Sequence, residues 1–162
     1  MNALVTEYVN LAFHGMRAGK NPINVSIEFD LDESVGKPLL VGEDFSRVIV
    51  NICQNAFDAL REKLSKGESG AESHAPKLAI RSRRNGARIN LEIEDNGPGI
   101  PDSIRDKVLQ PFFTTKKGTQ GTGLGLSITH DIVKAHRGDL SIRTNENSGT
   151  TFIIGLPADP IE

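Results

Sequence analysis

The chain has 162 residues, a formal net charge of -2, 25% charged residues, and 5% aromatics with no Trp. That length suits one domain with a sizeable core, the charge points to neither nucleic acid nor a membrane surface, and the scarcity of aromatics argues against a base-stacking platform. The single Cys53 excludes an internal disulfide and fits a reducing compartment, and no apolar run approaches the roughly 20 residues that span a bilayer.

In chain order, Leu4, Val5, Tyr8, Val9, Ala12, Phe13 and Met16 recur at helical spacing and predict a helix over 2–18. Residues 23–29 alternate as a strand, with Val25 and Ile27 on one side. A long helix is expected over 43–64, where Phe45, Val48, Ile49, Ile52, Ala56 and Ala59 make the apolar stripe. Residues 66–76 read as a polar loop. Strands at 77–84 and 87–95 flank Asn85-Gly86, a strong hairpin signal. The arginines 81, 83, 84 and 88 fit a solvated hairpin. A short helix follows Pro101, a further helix runs over 123–136 and stops at Gly138, and strands at 139–144 and 150–156 close the chain. This order predicts a two-layer α/β sandwich with a mixed sheet.

Three polar features sit inside this apolar pattern. Asn51, Asn55, Asp58 and Glu62 share a second face of the long helix. Asn is a poor helix former, so two of them one turn apart read either as a solvated face or as carboxamide oxygens lining a site. Such oxygens suit Mg2+, a hard cation that bridges substrate phosphates. In the strand ending at Asp95, parity places that carboxylate on the apolar face with Ile89, Leu91 and Ile93. A carboxylate there needs a partner. It would serve either as an acceptor for an exocyclic amino group, as on adenine, or as an ordinary turn residue capping its own backbone. Gly97 and Gly99 follow, and would let a flat ligand approach. Thr150, in the closing hairpin, could offer a hydroxyl.

The stretch 111–127, Pro-Phe-Phe-Thr-Thr-Lys-Lys-Gly-Thr-Gln-Gly-Thr-Gly-Leu-Gly-Leu-Ser, holds Gly118, Gly121, Gly123 and Gly125 and runs straight into an apolar helical pattern. Glycines and a following helix N-terminus favour phosphate. The pattern is neither a Walker loop nor a dinucleotide fingerprint, because no Gly-Lys-Ser/Thr occurs and the last three glycines are spaced two and two.

Taken in order, these segments resemble the ATP-binding catalytic domain of sensor histidine kinases, within the wider superfamily of the gyrase B subunit, the mismatch-repair protein MutL and the ninety-kilodalton heat-shock chaperones. Asn51-Ile-Cys-Gln-Asn55-Ala-Phe-Asp58 is similar to the family's asparagine box, and Asp95-Asn-Gly97-Pro-Gly99-Ile100 to its first glycine box. Pro111-Phe112-Phe113-Thr114-Thr115-Lys116 is similar to its phenylalanine box, Gly121-Thr122-Gly123-Leu124-Gly125-Leu126 to its second glycine box, and Gly149-Thr150 to its last. The resemblance spans about residues 40–156.

It implies a Bergerat-type ATP-binding fold, a mixed, mostly antiparallel sheet with helices on one face. It further implies ATP and Mg2+ as cofactors, with Asp95 accepting from the adenine amino group, Gly97 and Gly99 leaving room for the base, and Ile100 and Asp58 beside it. Asn55 would coordinate the metal, Asn51 would line the same face, and Lys116 would reach the γ-phosphate. Residues 112–125, among them Phe112, Thr114 and Thr115, would form a lid, with backbone N–H groups from Gly121 to Leu126 near the phosphates. Asn51 stands where the gyrase and chaperone branches carry a water-activating Glu. An amide is no general base at neutral pH, so efficient hydrolysis is not expected.

The family's acceptor histidine sits in a His-Glu-type motif on a separate helical domain. Of His14, His74, His130 and His136, only His130 precedes an acid, and His136 falls near a helix C-terminus, where a cation is favoured. The expected organisation is therefore residues 1–20 as a helical remnant of the link to an acceptor domain and 21–158 as the catalytic domain. The expected protein is a cytoplasmic, monomeric fragment of a two-component kinase, with a histidine-bearing dimerisation domain as direct partner and a response regulator as indirect one. An anti-sigma-type serine kinase and a nucleotide-sensing module that transfers nothing are the alternatives.

Overall fold

The structure, a computed structural model, describes residues 1–65, 75–110, 125–145 and 148–158. Its elements run α1 (Asn2–Arg17), β1 (Ser26–Leu31), a 3-10 turn (Glu33–Val35), α2 (Gly42–Ser65), β2 (Lys77–Asn85), β3 (Arg88–Asp95), α3 (Asp102–Arg105), α4 (Gly125–Ala135), β4 (Asp139–Asn145) and β5 (Gly149–Pro157). The five strands form one sheet in the order β1-β2-β3-β5-β4. Only β1 and β2 are parallel, and every other pair is antiparallel. The fold is the expected α/β sandwich with a mixed sheet.

α2 organises the core. Glu43 and Asp44 occupy its first turn, where carboxylates complement the positive helix end. Phe45, Val48, Ile49, Ile52, Cys53, Ala56, Phe57 and Leu60 are buried along it, the i, i+3, i+4 recurrence of an amphipathic helix. Each large side chain so buried contributes roughly 1.5–3 kcal/mol. They meet the inward face of the sheet, where Leu78 and Ile80 of β2, Leu91 and Ile93 of β3, and Phe152 and Ile154 of β5 join the same cluster.

α1 belongs to this core as well. Val5 and Val9 are wholly buried, and Ala12 nearly so, against α2. The segment expected as a connecting remnant thus packs on α2 through these three residues.

The opposite face of the sheet is polar. Arg81 pairs with Glu92 at 3.0 Å and with Glu94 at 3.4 Å, Arg143 with Glu92 at 3.4 Å, and Arg83 with Asp30. A groove of about 300 Å³ here is lined by Arg81, Arg83, Asn85, Asn90 and Glu92; it is far from the features described next, and its cations are ion-paired. Among the described residues, no helix is long and apolar enough to cross a membrane.

Two local expectations shift. The hairpin loop is Gly86-Ala87 rather than Asn85-Gly86, because Asn85 pairs with Arg88 and so remains in the strand. The first strand begins at Ser26, later than expected, and lies at the sheet edge, where half-exposed positions blur its alternation.

Candidate functional site

Asp95 ends β3 with its side chain on the inward face, as strand parity requires, and is 3% exposed. Its Oδ1 accepts the Gly97 backbone N–H at 2.9 Å. Burial pushes its carboxyl up from 3.8 to about 6, against the backbone N–H groups of Gly97 and Thr150, which favour the charged form; Glu94 adds to the rise and Lys63 opposes it. The Lys63 ammonium donates to the Asn96 carbonyl at 3.0 Å. Asn96 in turn fixes the chain on both sides, accepting from Lys77 N–H at 2.8 Å and donating to the Ala75 carbonyl at 2.9 Å.

The turn after Asp95 is shaped by close packing. A Cβ on Gly97 would lie 2.8 Å from Asp95 Oδ1 and 3.3 Å from the Ala59 Cβ on α2. Gly99 takes φ +79°. The turn is then pinned to the far hairpin, where Ile100 N–H donates to the Thr144 hydroxyl at 2.7 Å. Thr144 Oγ1 reaches the Gly149 carbonyl at 3.2 Å and the Thr150 hydroxyl at 3.3 Å. Thr150, buried, is the register partner of Asp95 across β3 and β5.

The asparagine pair lies on α2. Asn55 Nδ2 donates back to the Asn51 carbonyl at 3.0 Å. Asn51 Nδ2 donates to the Gly125 carbonyl at 3.3 Å and reaches Thr129 Oγ1 at 3.5 Å. Both carboxamides therefore spend their N–H groups on the protein, and among the described residues no donor meets either side-chain oxygen. This leaves two hard oxygens one helical turn apart on α2, with Asn51 beside the first turn of α4, the positive end of that helix. No cluster of three or more His, Cys, Asp or Glu that could hold a metal occurs among the described residues. A hard divalent cation that also takes phosphate oxygens and waters fits this donor set.

Asp58, expected beside the ligand, is turned to Arg61, with which it pairs at 2.8 Å. Ile100 and Leu126 are half-buried and pack against the core, and Gly125 opens α4. Phe112, Thr114, Thr115, Lys116, Gly121, Thr122, Gly123 and Leu124 lie outside the described residues. Thr144, Lys63 and Thr129 were not among the residues singled out. Thr and Lys at strand and helix positions are commonplace, and only the crossing of distant segments gives these three a role.

His136 directly follows α4, at the helix end as expected. Its Nε2 accepts the Val41 N–H at 3.0 Å while Nδ1 meets the Ile132 carbonyl at 2.8 Å, so the histidine ties the start of α2 to the end of α4.

Residues 41–160 match the profile of the histidine kinase-, DNA gyrase B-, and HSP90-like ATPase family. The chain belongs to this family. Within it, the chain is 37% identical over 121 residues to the two-component sensor PprA of Pseudomonas aeruginosa, covering 74% of this chain and 12% of that protein. It is 38% identical over 116 residues to the sensor kinase CckA of Brucella abortus, covering 70% of this chain and 12% of that one. It thus spans only a small part of the length of these relatives. Among solved structures, a nucleotide-free catalytic domain of the histidine kinase ThkA superposes with a TM-score of 0.76 at 28% identity, covering 98% of this chain and 95% of that one. The chain is an ATP-binding catalytic domain of the two-component sensor-kinase kind.

Proposed function

We propose that this domain binds ATP with Mg2+ and donates the γ-phosphoryl group to a histidine on a separate dimerisation domain of the same kinase, from which a response regulator is served. One observation carries the reading: the Asp95 carboxylate is buried at the end of β3 and held by Gly97, while Asn51 and Asn55 lie one turn apart on α2, where Asn51 meets the first turn of α4. A nucleotide with its adenine amino group on Asp95 would turn its phosphates toward that helix end. Asn55 would hold the metal, with Asn51 beside it and Lys116 reaching the γ-phosphate. The metal, when bound, neutralises phosphate charge as the group transfers.

This chain's own residues bind and orient. Asp95, as the carboxylate, accepts from the base. Gly97 and Thr150 hold that carboxylate in place. Asn51 offers no proton-accepting carboxylate, which disfavours activation of water and leaves the phosphoryl group for an incoming nucleophile. His136 is held between Val41 and Ile132 and His130 lies within α4 itself, so the acceptor histidine is assigned to a separate domain. Residues 1–20 would lead toward the acceptor domain while remaining docked on α2, with 21–158 as the catalytic unit.

Incubation with labelled ATP and a histidine-bearing helical domain tests the assignment. Acid-labile phosphohistidine is the expected product. Acid-stable phosphoserine would instead make the chain an anti-sigma-type serine kinase, and ATP binding without transfer would make it a nucleotide-sensing module. Asp95→Asn should abolish ATP binding, and tight binding by that variant would sink the nucleotide reading itself.

A further inference from the structure

We propose that Thr129 is a positioning residue for the phosphate end of the nucleotide, acting through Asn51. The proposal deepens the ATP-binding reading and rests on it. Thr129 is wholly buried on the face of α4 that meets α2. Its hydroxyl donates to the Gly125 carbonyl at 2.8 Å, one turn back in the same helix. The same hydroxyl oxygen and the same carbonyl both face Asn51 Nδ2, at 3.5 and 3.3 Å. Together they form a two-acceptor cradle for the amide N–H groups of Asn51.

The cradle decides which end of the carboxamide faces the pocket. Amide nitrogen and oxygen are nearly equal in size, so shape alone does not distinguish a carboxamide from its flipped form. The Gly125 carbonyl does, because it can only accept, and the Thr129 hydroxyl acts with it while its own proton is committed to that carbonyl. Asn51 Oδ1 is thereby turned away from these two groups, while the Asn55 amide N–H is held by the Asn51 backbone carbonyl. A flipped Asn51 would present N–H donors instead. These could still meet phosphate oxygens but would repel a divalent cation and orient its waters wrongly. Removal of the Thr129 hydroxyl takes away one of the two acceptors and leaves the Asn51 N–H groups only the Gly125 carbonyl at 3.3 Å, so that the carboxamide is less firmly fixed.

The effect is therefore specific to the metal-bearing nucleotide. Calorimetric titration of the domain with ATP, in Mg2+ and in EDTA, tests it on Thr129→Val, which keeps the shape and removes the hydroxyl. Affinity for MgATP should fall roughly three- to ten-fold, the scale of one lost hydrogen bond, while metal-free ATP binds as in the parent and Thr129→Ser restores MgATP affinity. In 15N-labelled protein, the Asn51 side-chain amide resonance should move in the Val variant and return in the Ser variant. Unchanged MgATP affinity overturns the proposal, as does an equal loss with and without Mg2+, which would mark a purely structural hydroxyl. If the Val variant does not fold, Thr129→Ala carries the same comparison with the same two outcomes. Absence of ATP binding in the parent under both conditions overturns the nucleotide reading, and this proposal with it.

Discussion

The Gly97 N–H donates to Asp95 Oδ1 at 2.9 Å, and a methyl group at position 97 would lie 2.8 Å from the same oxygen. The carboxylate is thus held by the residue that has no side chain to displace it. Gly97→Ala should push Asp95 off its position, against Ala59 on the other side, which leaves little room to give. ATP affinity should fall at least ten-fold, by calorimetric titration, with an overpacking cost of about 1–3 kcal/mol in urea unfolding.

Burial raises the Asp95 carboxyl to about 6 from 3.8, so the folded domain holds this proton more tightly than the unfolded chain does. The Asp95 contribution to the stability of the nucleotide-free domain is therefore greatest below about pH 4 and declines as pH rises through 6. Under the proposed function nucleotide binding runs the other way, because an adenine amino group on Asp95 would need the ionised acceptor. ATP affinity should fall as pH drops from 7.5 to 5.5. Asp95→Asn should lose ATP binding, yet match or exceed the parent in stability at pH 7.5, by up to about 1–3 kcal/mol. Denaturant melts and titrations at both pH values check the two trends together.

Gly149 has φ +101°, and a Cβ there would lie 1.9 Å from the Asp95 carbonyl oxygen. No neighbouring side chain can move to relieve a clash with backbone. Gly149→Ala should cost more than about 3 kcal/mol, through strain and the opening of the β3–β5 pairing. Equilibrium unfolding that shows a loss under 1 kcal/mol would contradict this geometry.

Val5 and Val9 bring α1 into the common core. Val9→Ala should cost about 2 kcal/mol, and removal of residues 1–17 should expose the α2 face beneath and leave a domain that melts far lower or aggregates. Thermal unfolding of the shortened chain distinguishes an integral helix from a dispensable linker.

Much of this site was legible because a polar residue in an apolar pattern is conspicuous. Strand parity alone placed Asp95 inward, and helical spacing alone put Asn51 and Asn55 on one face. What escaped were residues whose types are at home where they stand. Thr144 in β4 and Thr129 in α4 carry no anomaly along the chain, and each acquires its part only when Ile100 or Asn51 arrives from a distant segment. His136 stands at the helix end that the sequence indicated, and only the Val41 N–H, 95 residues away, shows what it ties together. Asp58 shares the helical face of Asn51 and Asn55 and pairs with Arg61.

The strand order has a consequence for assembly. β5, the last strand in the chain, sits between β3 and β4 rather than at an edge. Asp95 therefore has no wall beside it until Gly149 and Thr150 arrive, more than fifty residues later in synthesis. Before then β3 shows a bare row of amides and carbonyls, open to pairing with any passing strand. Completion of the floor around Asp95 and closure of that vulnerable edge are one and the same event, so a chain whose Asp95 site is formed is by construction one whose sheet has already been sealed.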